Sequence, residues 1–247
     1  MTMDVTEYTT NISDQFHEFS AALAADSPFP VHSVAVTGSA LTPDFVPGQS
    51  DINSIVVVEN VTVEFLDFIV LLGKKYSSHY IAAPMLLTPH YIATSLDVFP
   101  IEFFNLQAIH HTVSGTDPLA DLIIKNSHLR LQGEREVKSK LLWLHQGYIS
   151  ALGNNEQLVQ QLCDSITGYL PLFRAILFLA GHELTLSGQK TAAAVQKALD
   201  LDSKIFTTIL ELKKKGRTSE AGEVCDCFSD YYNATQQLSD YVDTLPV

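Results

Sequence analysis

The stretch VAVTGSALTPDFVPGQSDINSIVVV, residues 34–58, contains two β-branched runs separated by turn-forming residues. Val31 to Thr37 and Ile52 to Val58 have the composition of short buried strands. Gly38-Ser39 interrupts the first run, and a loop that contains proline and glycine follows from Thr42 to Ser50. The sequence therefore predicts two strands that are joined by a tight turn and a loop.

The chain on either side of this stretch alternates between helical and extended patterns. We expect an opening helix, a crossover helix and two further strands over Val5 to Leu23, Val63 to Tyr76, Pro84 to Leu87 and Val98 to Leu106 respectively. Strands that alternate with helices in this way are typical of an α/β or α+β domain with a small mixed sheet.

From about Asp117 onward the strand-like runs stop and helical periodicity takes over. Helices are predicted at Leu129 to Tyr148, Glu156 to Ala180, Thr191 to Leu199, Lys204 to Lys215 and Ser219 to Thr244. Pro171 should kink or split the second of these helices. The sequence thus predicts an α/β domain over residues 1–120 and an all-α helical bundle over residues 121–247.

Composition narrows the classes of partner. The net charge is −13 with only fifteen Lys and Arg, and affinity for a phosphate backbone comes mainly from basic side chains, so we expect no nucleic-acid partner. The first ten residues carry two acids and no Lys or Arg, unlike a secretory signal. No run of about 18 uninterrupted apolar residues is present, so we expect a cytoplasmic protein with no membrane partner.

Polar residues at the end of the first strand and the start of the second can serve phosphate chemistry. Gly38-Ser39 forms a turn where phosphate oxygens could meet backbone N–H groups and a hydroxyl. Residues 51 and 53 lie on one face of the next strand because side chains alternate with period two. Two-metal phosphoryl transfer requires acidic oxygen ligands on one face of the site. These ligands hold two metal ions about 4 Å apart.

This arrangement resembles the polymerase-β-like nucleotidyltransferases, in which Gly-Ser, a loop and Asp-x-Asp are followed by a third carboxylate on a neighbouring strand. In FPIEFFNL (residues 99–106), Glu102 takes the third position. A helical domain after the first domain also resembles the adenylyltransferases that modify streptomycin and spectinomycin. The resemblance implies Mg²⁺ of the two-metal type held by Asp51, Asn53 and Glu102, and ATP or another NTP held by Gly38 and Ser39. It also implies transfer of a nucleoside monophosphate to a hydroxyl of a small molecule or protein.

The chain departs from that pattern at Asn53, because an amide coordinates Mg²⁺ through its oxygen but brings no charge. Either one metal site is weakened, or the chain is an inactive nucleotide-binding or regulatory protein with the same fold. Asp97 could compensate as an acid, although Asp is also favoured in turns.

The first helix of the bundle carries Glu134 and Glu136, which are expected to pair with Lys138 and Lys140 at i,i+4. Alternatively, this helix lines a cleft where Glu134 or Glu136 acts as general base on an acceptor hydroxyl. The acceptor, the base of the nucleotide and a possible homodimer stay open at this point.

Overall fold

The computed structural model describes residues 2–201, 204–215 and 224–246. The chain divides into two compact units, residues 1–124 and 125–247. The predicted boundary after residue 120 lies close to this division.

In its described residues, the first unit contains four strands and four helices. They are α1 (Asp14–Asp26), β1 (Val31–Thr37), β2 (Asn53–Val58), α2 (Val63–Tyr76), β3 (Met85–Leu87), α3 (Pro89–Ser95), α4 (Pro100–Ala108) and β4 (His110–Gly115). Short 3-10 turns lie at Thr6–Asn11, Gly38–Leu41 and Ser77–His79. The predicted opening helix is therefore in two pieces, because the Ser13 side chain accepts a hydrogen bond from the N–H of Phe16 and starts α1 anew.

The four strands form one mixed sheet in the order β3-β2-β1-β4. Strand β1 pairs antiparallel with β2 and with β4, whereas β3 is parallel to β2. Val31–Thr37 forms the strand that the sequence predicts, and Asn53–Val58 forms all but the first residue of the second. The small mixed sheet that the alternating pattern predicts is confirmed.

The two faces of the sheet pack against different helices. Val34 and Val36 lie on the face that packs against α1, where the Ser20 and Ser114 hydroxyl oxygens are 3.4 Å apart. On the other face, β2 packs against α3 and α4 in a buried apolar cluster of Ile55, Val57, Leu87, Ile92, Phe103 and Leu119. Because Thr37 and Asn53 are directly paired, alternation places both side chains on the α3–α4 face.

The strand predicted over Val98 to Leu106 is wrong, because these residues form α4, a helix that begins at Pro100. Proline at the first helical position needs no N–H partner and has the φ of a helix. Phe103, Phe104 and Gln107 are buried at helical spacing. Glu102 therefore lies in the first turn of a helix and not on a strand.

The second unit is all helical in its described residues. Its helices are α5 (Asn126–Ala151), α6 (Asn155–Ser165), α7 (Leu170–Leu179), α8 (Gly188–Ala198), α9 (Ile205–Lys214) and α10 (Val224–Thr244). A 3-10 turn, Ile166–Tyr169, separates α6 from α7 just before Pro171, as the sequence predicts. The predicted start of the last helix at Ser219 lies outside the described residues.

Four aromatic rings form the centre of the helical unit. Tyr169 contacts Phe173, Phe206 and Tyr231 with centroid separations of 5.5, 5.9 and 5.5 Å. Burial raises the pKa of Tyr169 to about 12, although its hydroxyl lies 3.2 Å from Thr235 Oγ1. Helices packed around such rings bury their apolar faces against one another.

One described segment, Asn155–Leu179, is long and apolar enough to cross a membrane by length and composition. It spans α6 and α7, and 56% of its most apolar window is buried inside the protein. A core helix passes the same test of length and composition, so one such segment is weak evidence for a membrane span.

Candidate functional site

The turn after β1 brings Gly38 close to the start of β2. Gly38 has a φ of +75°, a left-handed conformation that glycine adopts without strain. A Cβ atom at Gly38 would lie 3.8 Å from Nδ2 of Asn53. The Gly38-Ser39 turn therefore lies beside the start of the second strand.

The turn itself is held by side chains that the sequence analysis did not single out. Thr42 is buried, and its hydroxyl donates to the carbonyl of Ser39 at 2.9 Å and accepts from the N–H of Asp44 at 3.3 Å. Asn11 Nδ2 donates to the carbonyl of Ala40 at 2.9 Å. These bonds fix the carbonyl side of the turn. Asn11 is distant in sequence, and nothing in a local pattern signals its role.

Asp51 and Asn53 flank a buried residue at the beginning of β2. Ile52 is 3% exposed, whereas Asp51 and Asn53 are both exposed. The backbone of Ile52 bonds to Tyr80 and Ala82, at 2.7 and 3.1 Å, which fixes this end of the strand in the sheet. The burial pattern agrees with the predicted period of two, with the polar pair on one side and Ile52 on the other.

A buried histidine lies on the opposite side of Thr37 from Asn53. Thr37 pairs with Asn53 on β2 and with His110 on β4, so these three residues form one row across the sheet. The side chain of His110 is 2% exposed, and its Nε2 is 3.0 Å from Asp117 Oδ1. Its Nδ1 is 3.1 Å from the carbonyl oxygen of Gln107. His110 therefore supports the edge of the site and is not available to solvent.

The remaining predicted acids of the first unit lie on or beside the helices of the α3–α4 face. Glu102 is exposed in the first turn of α4, next to Phe103, which packs with Ile55 on the same sheet face as Asn53. Asp97 lies in the turn between α3 and α4, as expected for a turn acid. The part that these two residues have in metal binding stays a prediction.

The residue types at the start of β2 fit a nucleotide-bound Mg²⁺. Mg²⁺ in phosphate-transfer sites keeps several waters and takes one or two carboxylates together with phosphate oxygens. Asp51 supplies one carboxylate and Asn53 an amide oxygen. Among the residues that the structure describes, no three or more His, Cys, Asp or Glu side chains form a group that could hold a metal.

Asp117 stabilises the His110 edge in a way that depends on pH. Partial burial alone would raise the pKa of Asp117, but hydrogen bonds from the N–H of Leu119 and from His110 outweigh it, so the pKa is lowered from 3.8. The unfolded chain therefore takes up a proton before the folded chain does as the pH falls. The stabilisation is present above pH 3.8 and is lost as the pH falls through the lower folded pKa.

We expect Asp117→Ala to lower the free energy of unfolding by about 1 kcal/mol at pH 7, since two bonds are lost at a partly exposed carboxylate. Denaturant titrations of the protein and the variant between pH 7 and pH 3 should show the difference shrinking toward low pH. Asp121→Ala, an exposed acid nearby, serves as the control. A difference that grows on acidification would contradict the assignment.

In the second unit, Glu134 belongs to a surface ion-pair network. It pairs with Arg130 at 3.5 Å and with Lys138, and Lys138 is also 3.5 Å from Asp243. The hydrogen bond from Lys138 is the main cause that lowers the pKa of Glu134. The predicted Glu134–Lys138 pair is thus present, and it leaves Glu134 a poor candidate for a general base.

Glu136 is placed differently. In the described residues its carboxylate does not come within ion-pair distance of Lys140, which corrects the predicted i,i+4 pair, although, against the larger effect of burial, the charge of Glu136 acts to raise the pKa of Lys140. It lines a cavity of about 340 Å³ together with Ser139, Lys140, Trp143, Asp164, Ser165 and Tyr169. The Nζ of Lys140 lies 4.6 Å from the Tyr169 ring centroid, and burial lowers the pKa of Lys140. The cavity therefore combines an amine, carboxylates and an aromatic wall.

The small mixed sheet of the first unit and the helices of the second unit are consistent with an α/β nucleotidyltransferase fold followed by a helical domain. No family profile and no curated protein matches this chain. Among solved structures it resembles spectinomycin adenyltransferase AAD(9) from Enterococcus faecialis, crystallised with ATP and spectinomycin, with a TM-score of 0.50 and 10% sequence identity. The similarity covers 98% of this chain and 100% of that one. At this identity it shows the fold alone.

Proposed function

We propose that this chain is a nucleotidyltransferase that binds a nucleoside triphosphate, with ATP the first candidate, together with one Mg²⁺ ion. The observation that carries the proposal is the left-handed Gly38 turn beside Asn53, with Asp51 exposed two residues earlier. The similar spectinomycin adenyltransferase was crystallised with ATP, and this supports the choice of nucleotide.

Each residue of the site has a separate part in the proposed reaction. Gly38 lets the triphosphate approach the backbone, and the hydroxyl of Ser39 donates to a phosphate oxygen. Asp51 and the amide oxygen of Asn53 would hold Mg²⁺, which neutralises phosphate charge when bound. The remaining contribution is positioning, because phosphoryl transfer needs the attacking and leaving oxygens in line.

The proposed reaction transfers a nucleoside monophosphate to an acceptor hydroxyl. The oxygen of an acceptor hydroxyl forms a bond to the α-phosphorus, and the bond from that phosphorus to the oxygen bridging to the β-phosphate breaks. Pyrophosphate leaves with the electron pair of the broken bond, and the hydroxyl proton passes to a carboxylate. Glu102, an exposed acid in the first turn of α4, is the candidate for this base within the first unit.

The acceptor we propose is a small polyhydroxy molecule. The spectinomycin adenyltransferase was crystallised with spectinomycin, a small molecule. The net charge of −13 favours a neutral or cationic acceptor over a polyanion.

The proposal is tested by calorimetric titration with α,β-methylene-ATP and Mg²⁺, using Gly38→Ala and a matched control. A methyl group at Gly38 obstructs backbone contact with phosphate, so we expect about a tenfold or greater loss of affinity. Gly48 also has a φ of +75°, with no atom within 4 Å of a Cβ there. Gly48→Ala should therefore share the backbone strain of about 1 kcal/mol and keep the affinity.

If both glycine variants bind the nucleotide as the unaltered chain does, the Gly38 turn is not the phosphate site. If the unaltered chain fails to bind with or without Mg²⁺, the enzyme proposal is overturned. Thermal unfolding of the two variants checks that they are destabilised to the same extent.

A second candidate function is a nucleotide-binding or regulatory protein that has lost turnover, and Asn53 is the observation that favours it. The two functions are distinguished by Asn53→Asp, which restores the second carboxylate of the motif. In an enzyme with one weakened metal site, we expect about a tenfold or larger rise in Mg²⁺-dependent pyrophosphate release with a panel of polyhydroxy acceptors. A binding protein without turnover should release no pyrophosphate in either form. Asn53→Ala is the control for loss of the amide.

A further inference from the structure

The first unit contains a cavity at the other end of the sheet from the Gly38 turn. Ser33 lies four residues before Thr37 on β1, which corresponds to about 13 Å along the strand. The cavity has a volume of about 520 Å³, within the range of sites that bind small molecules. The nucleotide proposal does not use it.

The walls of this cavity are mainly apolar. Val57 of β2, Ile92 and Leu96 of the α3 side, and Leu122 and Ile123 of the segment after β4 line it. Ile123 is 84% exposed although it adjoins these apolar walls. An apolar side chain that stays in solvent beside an apolar cavity is typical of a binding site rather than of a packed core.

One polar atom inside the wall has no partner. Ser33 lines the cavity and is 2% exposed, yet its Oγ has no hydrogen bond within the described residues. The pairing register of β1 is irregular on both sides of Ser33. It shifts between Val31 and Ser33 in the pairing with β2, and between Val34 and Ala35 in the pairing with β4. A buried hydroxyl without a partner is unfavourable for folding, so a ligand that supplies one has a reason to bind there.

The charge at the cavity is negative. Asp117 and Asp121 line it, and no Lys or Arg is among the described residues that do. Asp117 carries its charge at neutral pH, because hydrogen bonds from Leu119 and His110 lower its pKa despite partial burial. His32, the one basic group in the wall, lies 3.0 Å from Glu59 and is engaged there. A cation is therefore attracted to this cavity and an anion is repelled.

From these observations we propose that the cavity bounded by Ser33, Ile92, Leu96, Asp121 and Ile123 binds a small aromatic or other apolar amine that carries a hydroxyl group. The apolar body replaces water against the walls, the ammonium group lies near Asp121, and the hydroxyl bonds to Ser33. This site is separate from the nucleotide site and does not depend on transferase activity.

Three probes separate the parts of this ligand. Tyramine carries both the ammonium and the hydroxyl group, phenethylamine lacks the hydroxyl, and 3-(4-hydroxyphenyl)propanoate replaces the cation with an anion. Titration of the ¹⁵N-labelled full chain, followed by amide chemical shifts, should give saturable binding of tyramine. We expect tyramine to bind about three- to tenfold tighter than phenethylamine and the propanoate to bind weakest.

Variants on the surface test the location. Ala93 is exposed on α3 and lines the cavity, so Ala93→Trp should fill the cavity and abolish tyramine binding. Thr94, the next residue, is exposed and outside the cavity, so Thr94→Trp should leave binding unchanged. Thermal unfolding of both tryptophan variants confirms that they fold.

Two further variants test the chemistry. Ser33→Ala should remove the advantage in affinity of tyramine over phenethylamine. Asp121→Asn should weaken the binding of both amines up to about fivefold, and it should not weaken the binding of the propanoate. Asp117 is left unchanged because it supports His110. The proposal is overturned if no probe binds saturably, if the three probes bind equally, or if Ala93→Trp binds tyramine as well as Thr94→Trp does.

Discussion

Asp51→Ala is expected to abolish the Mg²⁺-dependent part of nucleotide binding, with a loss of about 100-fold or more. Loss of groups that only orient a metal ligand already lowers metal affinity by roughly 10- to 100-fold. Asp51 would be a direct ligand, and the described residues contain no cluster of three or more acidic, His or Cys side chains to replace it. Calorimetry with α,β-methylene-ATP, with Mg²⁺ and with EDTA, measures the loss.

The matched control is Asp67→Ala. Asp67 is an exposed acid on α2 in the same unit, and its removal changes the net charge from −13 by the same single unit. Asp51→Asn keeps the size and an oxygen and removes only the charge, so it should fall between the unaltered chain and Asp51→Ala. If Asp51→Ala retains Mg²⁺-dependent affinity, the metal is held by other residues and the assignment of the motif is wrong.

Several parts of the fold follow from local pattern. Strand β1 and helix α2 were predicted with the bounds that the structure has, because each is an apolar run bordered by breakers or caps. Thr62, for example, caps α2 by accepting a hydrogen bond from the N–H of Phe65 at 3.2 Å. The split at Pro171 follows as directly, because a proline inside a helix removes a hydrogen bond.

Helix α4 was missed because FPIEFFNL is rich in the aromatic and β-branched residues that favour strands. A helical signal was nevertheless present. Pro100, Phe103, Phe104, Gln107 and Ala108 follow the spacing of one buried helix face, and proline favours the first helical position. Burial against β2 decides between the two patterns, and the partner of a buried face is not visible in a local window.

The Gly38 side of the candidate site could be predicted, because a strand, a tight turn and a strand bring their ends together. The support around it could not be predicted. Asn11 reaches Ala40 across 29 positions, and the row formed by His110, Thr37 and Asn53 depends on the register of three strands. Long-range register is set by tertiary packing, so residues that hold a site are harder to find from sequence than residues that touch a ligand.

Gly115→Ala is the substitution for which we expect the largest loss of stability. Gly115 ends β4 with a φ of +79°, and a Cβ there would lie 2.0 Å from the carbonyl oxygen of His32 and 2.8 Å from the Cα of Ser33. Both atoms are backbone, so rotation of a side chain cannot relieve the contact. The left-handed φ adds strain of about 1 kcal/mol for alanine.

The overlap at Gly115 forces β4 away from β1, where the two strands pair at Ser33. We expect a loss of about 3 kcal/mol or more in the free energy of unfolding, because backbone strain and broken strand pairing add. Thermal unfolding measures the total, and amide hydrogen exchange of β1 and β4 shows whether the loss is confined to the first unit. Because two units can unfold separately, the exchange data decide which transition is affected.

Gly48→Ala isolates the contribution of the left-handed backbone strain. Its φ of +75° gives nearly the same left-handed strain, but no atom lies within 4 Å of its Cβ. It should therefore lose only about 1 kcal/mol, and the difference between the two variants measures the close approach of β4 to His32. Equal losses would mean that the strands separate without cost at this position. In that case the shape of the Ser33 cavity would not depend on the glycine at 115, and tyramine binding should survive in Gly115→Ala.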